Sequence, residues 1–198
     1  MTADGSGVPA EFFLHVRVLI GVILGLSIGK LLSGLAAVSE QARTNMLWWV
    51  HMGWVVWAIL SVLGFWWWEF QLFGISDWTF GKYLFLFTYA ASYYVLCAML
   101  FPQYLEEKTG YKNYFLDHRK YFFGVVAISS ILDIGDTLLK GTSHLASLGI
   151  GYFLRIAVIL AICAIGARSR NARIHSALIL LALASQIAFF FIYFNRLI

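Results

Sequence analysis

The sequence predicts an all-α integral membrane protein, a bundle of six transmembrane helices with an interfacial segment between helices 3 and 4. Hydrophobic residues make up 61% of the 198 positions and charged residues 12%, whereas soluble domains are roughly half apolar and a quarter charged. Six stretches also approach the roughly 20 mostly apolar residues that cross about 30 Å of hydrocarbon. The lipid bilayer is therefore the first expected partner.

The six predicted spans are separated by short breaks that contain glycine, proline or charged residues. In the second span, eighteen residues separate Trp49 from Trp67, which corresponds to about 27 Å of helix and matches the spacing of the two interfacial aromatic belts. With no internal repeat or long linker, residues 1–198 are predicted to form a single transmembrane domain. The predicted spans cover residues 12–38, 46–73, 79–101, 121–139, 148–167 and 174–195.

The segment 102–120 differs from the other connections because it mixes tyrosines with both signs of charge. This composition predicts a short helix that lies in the membrane interface. Two roles remain open for it, either anchoring the protein or docking a protein partner.

Lysine and arginine are distributed unevenly between the two sides of the predicted bundle. The connections after spans 1, 3 and 5 hold eight of them, against four at the opposite side. The positive-inside rule then places those three connections, including 102–120, in the cytoplasm. We expect a multi-pass protein of a bacterial inner (cytoplasmic) membrane with both termini in the periplasm.

Ionisable residues inside spans are costly, and they persist where they pair, face water or function. Span 4 carries Ser129, Asp133, Asp136 and Lys140 at spacings of four, three and four, which places them on one helix face. This polar stripe is predicted to point into the bundle or into a subunit interface. It is the most specific pattern in the sequence.

Arg155 on span 5 lies at a depth that matches Asp133 and Asp136, and the short connection predicts that spans 4 and 5 are neighbours in space. We therefore predict an ion pair between Arg155 and one of these two carboxylates. Arg17 and Glu69 lie near the same, outer end of the bundle. Together, these charged residues are interpreted either as a structural network of ion pairs or as the lining of a water-filled vestibule that binds or relays a proton or cation.

Two alternative cofactor sites are weaker. A metal site built from Asp133, Asp136, Glu69 and His144 has no paired ligand spacing to support it. A haem held by His51 and His175 is conceivable because both histidines lie near the cytoplasmic ends of spans 2 and 6. The leading prediction is that the protein binds no cofactor.

Span 1 carries a small residue at every fourth position. Such a stripe lets another helix approach closely, so we expect a helix-packing face or a homo-oligomer interface, with a pore-lining helix as the alternative. The stripe consists of Gly21, Gly25, Gly29 and Ser33.

No Walker A loop, nucleophile elbow, zinc-protease motif or nucleic-acid signature is present, so an enzyme or a nucleic-acid partner is not predicted. The leading hypothesis is a small proton or inorganic-ion channel or transporter. Asp133 and Asp136 would be its ion sites, with Ser129 beside them, Arg155 and Arg17 tuning the charge, and Glu69 at the mouth. The runner-up is a non-transporting subunit or sensor that docks a partner through 102–120. A haem-binding electron-transfer protein is the third alternative.

The predicted orientation is testable with single cysteines, because the native Cys97 and Cys163 both lie in apolar spans. A membrane-impermeant thiol reagent added to intact cells should label Ser143→Cys, and it should label Arg170→Cys only after permeabilisation. The reverse pattern would invert the topology.

Overall fold

The structure, a computed structural model, describes residues 7–40, 47–75, 77–102 and 110–194, and these form six α-helices. All six helices are long and apolar enough to cross a membrane, so the chain is an all-α, multi-pass membrane protein, as the sequence predicts. A 3₁₀ helix, Glu69–Gly74, extends the second helix. The helices are α1 Gly7–Glu40, α2 Trp49–Trp68, α3 Phe80–Leu100, α4 Gly110–Leu139, α5 Thr142–Arg168 and α6 Ala172–Tyr193.

Local capping explains several of the helix boundaries. The hydroxyl of Thr79 accepts a hydrogen bond from the backbone N–H of Lys82 at the start of α3, and the Asn171 side chain accepts one from the backbone N–H of Arg173 at the start of α6. Both satisfy amide groups that a helix N-terminus leaves without an internal partner. Gly141, at φ 114°, makes the turn between α4 and α5.

The segment 102–120 differs from its prediction. Residues 110–120 are the first three turns of α4, continuous with span 4 rather than a separate interfacial helix, while residues 103–109 lie outside the described part of the chain. Tyr111 and Phe115, four residues apart, are both buried, and Tyr114 donates a hydrogen bond to the carbonyl of Met99 at 3.0 Å. These contacts hold the extension against the bundle. Similarly, α5 begins at Thr142, six residues before the predicted start.

The helix α2 lies at the centre of the bundle. Its most apolar window is 56% buried, whereas those of the other helices are 22–33% buried. It packs against α1, α3 and α6, while α4 packs between α3 and α5, and α5 also contacts α6. The polar face of α4 thus looks inward, toward residues from α2, α3 and α5.

The two ends of the bundle have different contents. Aromatic rings fill the end that contains His51, with Trp54 packed edge-on against Phe122 and Phe123. We call this the His51 end, and we call the opposite end, which contains Lys140, the Lys140 end. There a second apolar cluster surrounds Trp68.

The glycine stripe of α1 makes little contact with the other residues that the structure describes. Among them, the Trp66 ring would lie 3.0 Å from a Cβ on Gly21, but nothing would lie within 4 Å of one on Gly25 or Gly29, and Ser33 is exposed. Close packing of α1 uses Gly34 instead, where a Cβ would lie 2.2 Å from the Phe101 ring. The exposed part of the stripe therefore faces away from the other helices described here.

The contrast between two glycines of α1 gives a stability prediction. Gly34→Ala should destabilise the protein by about 1–3 kcal/mol, because the buried Phe101 ring must shift to make room for the methyl group. Gly25→Ala is the matched control, and it should be neutral or slightly stabilising because alanine favours helix in open space. Thermal unfolding in detergent measures both, and equal effects would contradict the packing of α1 on α3.

Candidate functional site

The predicted polar face of α4 is buried in the bundle. Asp136 is fully buried, Ser129 is 7% exposed, and the Lys140 side chain is 1% exposed. Because these residues follow the helical repeat, one face of α4 presents all of them to the interior. They form two adjacent groups, one around Lys140 and one around Asp133.

Lys140 lies between two carboxylates. Its Nζ is 3.0 Å from Oε1 of Glu69 and 2.5 Å from Oδ2 of Asp136, and both carboxylate side chains are at most 6% exposed. The 3₁₀ extension of α2 brings Glu69 to this position. We call Glu69, Asp136 and Lys140 the charged trio.

Asp133 has a different and more complete set of partners. Tyr89 donates a hydrogen bond to its Oδ1 at 2.8 Å, and Tyr152 donates one to its Oδ2 at 2.9 Å. Arg155 lies 3.9 Å from the same Oδ2, so the predicted ion pair of Arg155 forms with Asp133. Arg155 also donates to Gln186 at 3.2 Å.

The charges of the two groups balance differently. Asp133 and Arg155 compensate one another, whereas Lys140 faces two carboxylates, so the fully ionised trio has a net charge of −1. The remaining oxygens, Oε2 of Glu69 and Oδ1 of Asp136, are buried without a hydrogen-bond partner in the described part of the protein. A buried uncompensated charge costs several kcal/mol, so the trio favours uptake of one positive charge.

A small polar cavity continues from Asp133 toward the middle of the bundle. Its volume is about 30 Å³, and Ser61, Ser129, Asp133 and Arg155 contribute polar atoms to its wall. The hydroxyl of Ser129 also lies 2.8 Å from that of Ser92 on α3. A cavity of this size has room for one or two water molecules, which would bond to the polar groups in its wall.

The two histidines of the haem hypothesis lie at the His51 end, away from the carboxylates. Nε2 of His51 is 2.8 Å from the carbonyl of Leu100, and Nε2 of His175 is 2.9 Å from that of Ser169. The Phe115 ring contacts both imidazoles, with ring centroids 6.4 and 5.7 Å away. This arrangement favours histidines that satisfy backbone carbonyls within an aromatic layer.

Two other predicted site residues lie beside the trio rather than in it. The Arg17 guanidinium stacks over the Phe70 ring at 4.4 Å, and Arg17 and Glu69 line one shallow recess. His144 packs on the Trp68 ring, with centroids 5.5 Å apart. Within the described residues, no group of three His, Cys, Asp or Glu side chains is placed to hold a metal ion.

Sequence reasoning missed Tyr152 as a partner of Asp133. Tyr152 lies three residues before Arg155 on α5. The helical repeat therefore predicts that the two side chains share one face of the helix. Its hydroxyl also lies 3.1 Å from that of Thr137. The role of Lys140 as the centre of the trio was also missed, because its partner Glu69 lies 71 residues away in sequence.

No known protein family matches the sequence, and no curated protein and no solved structure is significantly similar to it. The class of this protein is therefore described from its own fold and site. It is a six-helix, multi-pass membrane protein with a buried, imperfectly compensated cluster of charges near one end of the bundle.

The trio predicts a pH-dependent loss of stability on removal of its cation. Lys140→Met should destabilise the protein by about 3 kcal/mol at neutral pH, because it leaves two buried carboxylates without a counter-charge. The loss should shrink as the pH falls, since protonation then neutralises the same carboxylates. Unfolding in detergent as a function of pH measures both effects.

Lys82→Met is the matched control for this experiment. Lys82 pairs with the exposed Asp77 at 2.8 Å, and such surface pairs contribute little to stability. A Lys140→Met protein as stable as the Lys82→Met protein would contradict the placement of the trio.

Proposed function

We propose that this protein is a membrane proton transporter in which Glu69 and Asp136 share one exchangeable proton beside Lys140. The observation that carries the proposal is the surplus carboxylate of the trio, with one unpartnered buried oxygen on each acid. Intramembrane carboxylates in polar interiors commonly form proton relays. A proton that moves on and off the pair switches the trio between net charges of 0 and −1.

The geometry favours a proton over an inorganic cation. The Lys140 ammonium already lies between the two carboxylates at 3.0 and 2.5 Å, so a metal ion would have to bind next to a positive charge. Calcium and similar ions also require six or more oxygen ligands. A proton needs neither space nor additional ligands.

A third carboxylate, Asp133, extends the pathway by one helical turn. Tyr89, Tyr152 and Arg155 hold it in place, and the cavity that it lines with Ser129 continues toward mid-depth. Beyond this cavity, at the His51 end, the aromatic layer around Trp54 follows. A transporter that changes conformation fits this closed half better than an open channel.

We place the protein in a bacterial inner membrane with the Lys140 end toward the periplasm, following the distribution of lysine and arginine. A homo-oligomer that uses the exposed face of Gly25, Gly29 and Ser33 is compatible with this arrangement, since small residues permit close helix approach.

The second candidate function is a non-transporting subunit or sensor. The first turns of α4 are held to the bundle by buried Tyr111 and Phe115, while Lys112 and Lys120 on the same turns are exposed. Asp117 also pairs with Arg170 across the surface. A polar face on an anchored helix end is a suitable surface for a protein partner.

Proton flux into liposomes that contain the purified protein tests the leading proposal. Under a pH gradient and an imposed potential, the wild-type protein should conduct protons, and Glu69→Gln and Asp136→Asn should each reduce flux to the level of protein-free liposomes. Each variant removes one of the two acids that share the proton.

Asp77→Asn is the matched control. Its carboxyl lies in the connection before α3, and the hydrogen bond from Lys82 lowers its pKa, so it is an ionised carboxylate outside the trio. This variant should retain wild-type flux. If the wild type shows no flux above empty liposomes, or if both trio variants conduct normally, the proton proposal is wrong and the docking function takes its place.

A further inference from the structure

Two glycines in the left-handed region of backbone space bound one short helical segment. Gly141 has φ 114° and ψ 150°, and Gly149 has φ 63° and ψ −166°; L-residues with a side chain rarely adopt such angles. Between them lie residues 142–148. Gly149 thus interrupts α5 within a segment long and apolar enough to cross the membrane.

Space does not explain the glycine at either position. Among the residues that the structure describes, a Cβ on Gly149 would meet nothing within 4 Å, and one on Gly141 would meet only the Ser143 hydroxyl oxygen, at an ordinary contact distance of 3.7 Å. Both positions favour glycine because of their positive φ angles. These two positions are eight residues apart, and each interrupts the helical backbone at one end of the intervening segment.

The segment 142–148 and the charged trio meet at the Trp68 ring. Its His144 packs on the Trp68 ring at 5.5 Å, and the Lys140 ammonium lies 5.6 Å from the centroid of the same ring. Leu145 and Leu148 pack into the apolar cluster around Trp68. The Lys140 side chain lies next to the turn at Gly141 and is only 1% exposed.

One hydrogen bond from another helix fastens the far end of the segment. The hydroxyl of Tyr193 on α6 donates to the carbonyl of Leu148 at 2.9 Å, directly before the break at Gly149. On the opposite face, Thr142, Ser143, Ala146 and Ser147 are exposed. The described contacts that hold the segment are thus the apolar packing around Trp68 and the hydrogen bond from Tyr193. The longer helices around it are held by more extensive packing.

We propose that residues 142–148 form a lid, hinged at Gly141 and Gly149 and latched by Tyr193, that opens the charged trio to the aqueous phase at the Lys140 end. This inference rests on the proposed proton function for its purpose, since proton exchange at the buried trio requires access to water. Interrupted helices beside ion sites and gating segments of this size are recurrent devices in transporters.

Thiol labelling tests the lid in the full-length protein, reconstituted in liposomes, with Cys97 and Cys163 replaced by alanine. Leu148→Cys places a thiol on the underside of the lid, where the native side chain is 9% exposed. Ile156→Cys is the matched control, because Ile156 lies on the same helix and in the same apolar cluster, is 5% exposed, and lies beyond the hinge. The probe is a membrane-impermeant maleimide.

We expect Leu148→Cys to react and Ile156→Cys to remain unlabelled over the same time. Adding Tyr193→Phe should raise the labelling rate of Leu148→Cys about fivefold, the change in open population expected for the loss of one net hydrogen bond. The same addition should leave Ile156→Cys unlabelled. Equal protection of both cysteines, or no effect of Tyr193→Phe, would overturn the lid.

Thiol labelling does not depend on proton flux. The lid proposal and the proton-site proposal can therefore be rejected independently of each other. Absent flux with rapid labelling of Leu148→Cys would reject the proton role and keep the hinged segment. Normal, Asp136-dependent flux with a protected Leu148→Cys would keep the proton site and reject the lid.

Discussion

The architecture of the Lys140 end depends on the compensation of charge in a place with little water. Lys140 is the only described cation within hydrogen-bond distance of Glu69 and Asp136, and all three side chains are almost completely buried. Removing such groups from water costs several kcal/mol per ion, which short contacts offset only when the geometry is good. The helices at this end are arranged to supply that geometry.

Several elements contribute to this one cluster. The helix α4 places Asp136 and Lys140 one turn apart on its inner face, and the 3₁₀ extension of α2 turns Glu69 toward them. The tyrosines of α3 and α5 meet at Asp133. Because Glu69, Tyr89 and the α4 residues come from distant parts of the chain, formation of the cluster is coupled to correct assembly of the bundle.

The two halves of the bundle differ in their contents, and the proposed transporter would use them differently. At the His51 end, imidazoles bond to backbone carbonyls and aromatic rings fill the interior, a packed arrangement with little room for change. At the Lys140 end, a surplus carboxylate lies in the same end of the bundle as a short segment bounded by two glycines with positive φ. Proton exchange at this end would then precede any movement that opens the other.

The helical repeat was sufficient to predict much of this structure. The six spans, the inner face of α4 and the pairing of Arg155 with a carboxylate of span 4 all follow from apolar length, period and depth. The partner of Glu69 was not predictable, since contacts between residues 71 positions apart depend on how the helices pack. The straight continuation of α4 through residues 110–120 depends on the burial of Tyr111 and Phe115 against the bundle, and the break at Gly149 depends on a backbone angle that a glycine permits but does not dictate.

The most direct test of the shared proton is infrared spectroscopy of the purified protein at neutral pH, where a protonated carboxyl has its own C=O stretching band. The wild type should show one such band, because the trio has one acid more than Lys140 compensates. The band should disappear in Glu69→Gln and equally in Asp136→Asn, since each substitution leaves one carboxylate paired with one ammonium. A wild-type spectrum without the band, or a band that persists in both variants, would contradict the account.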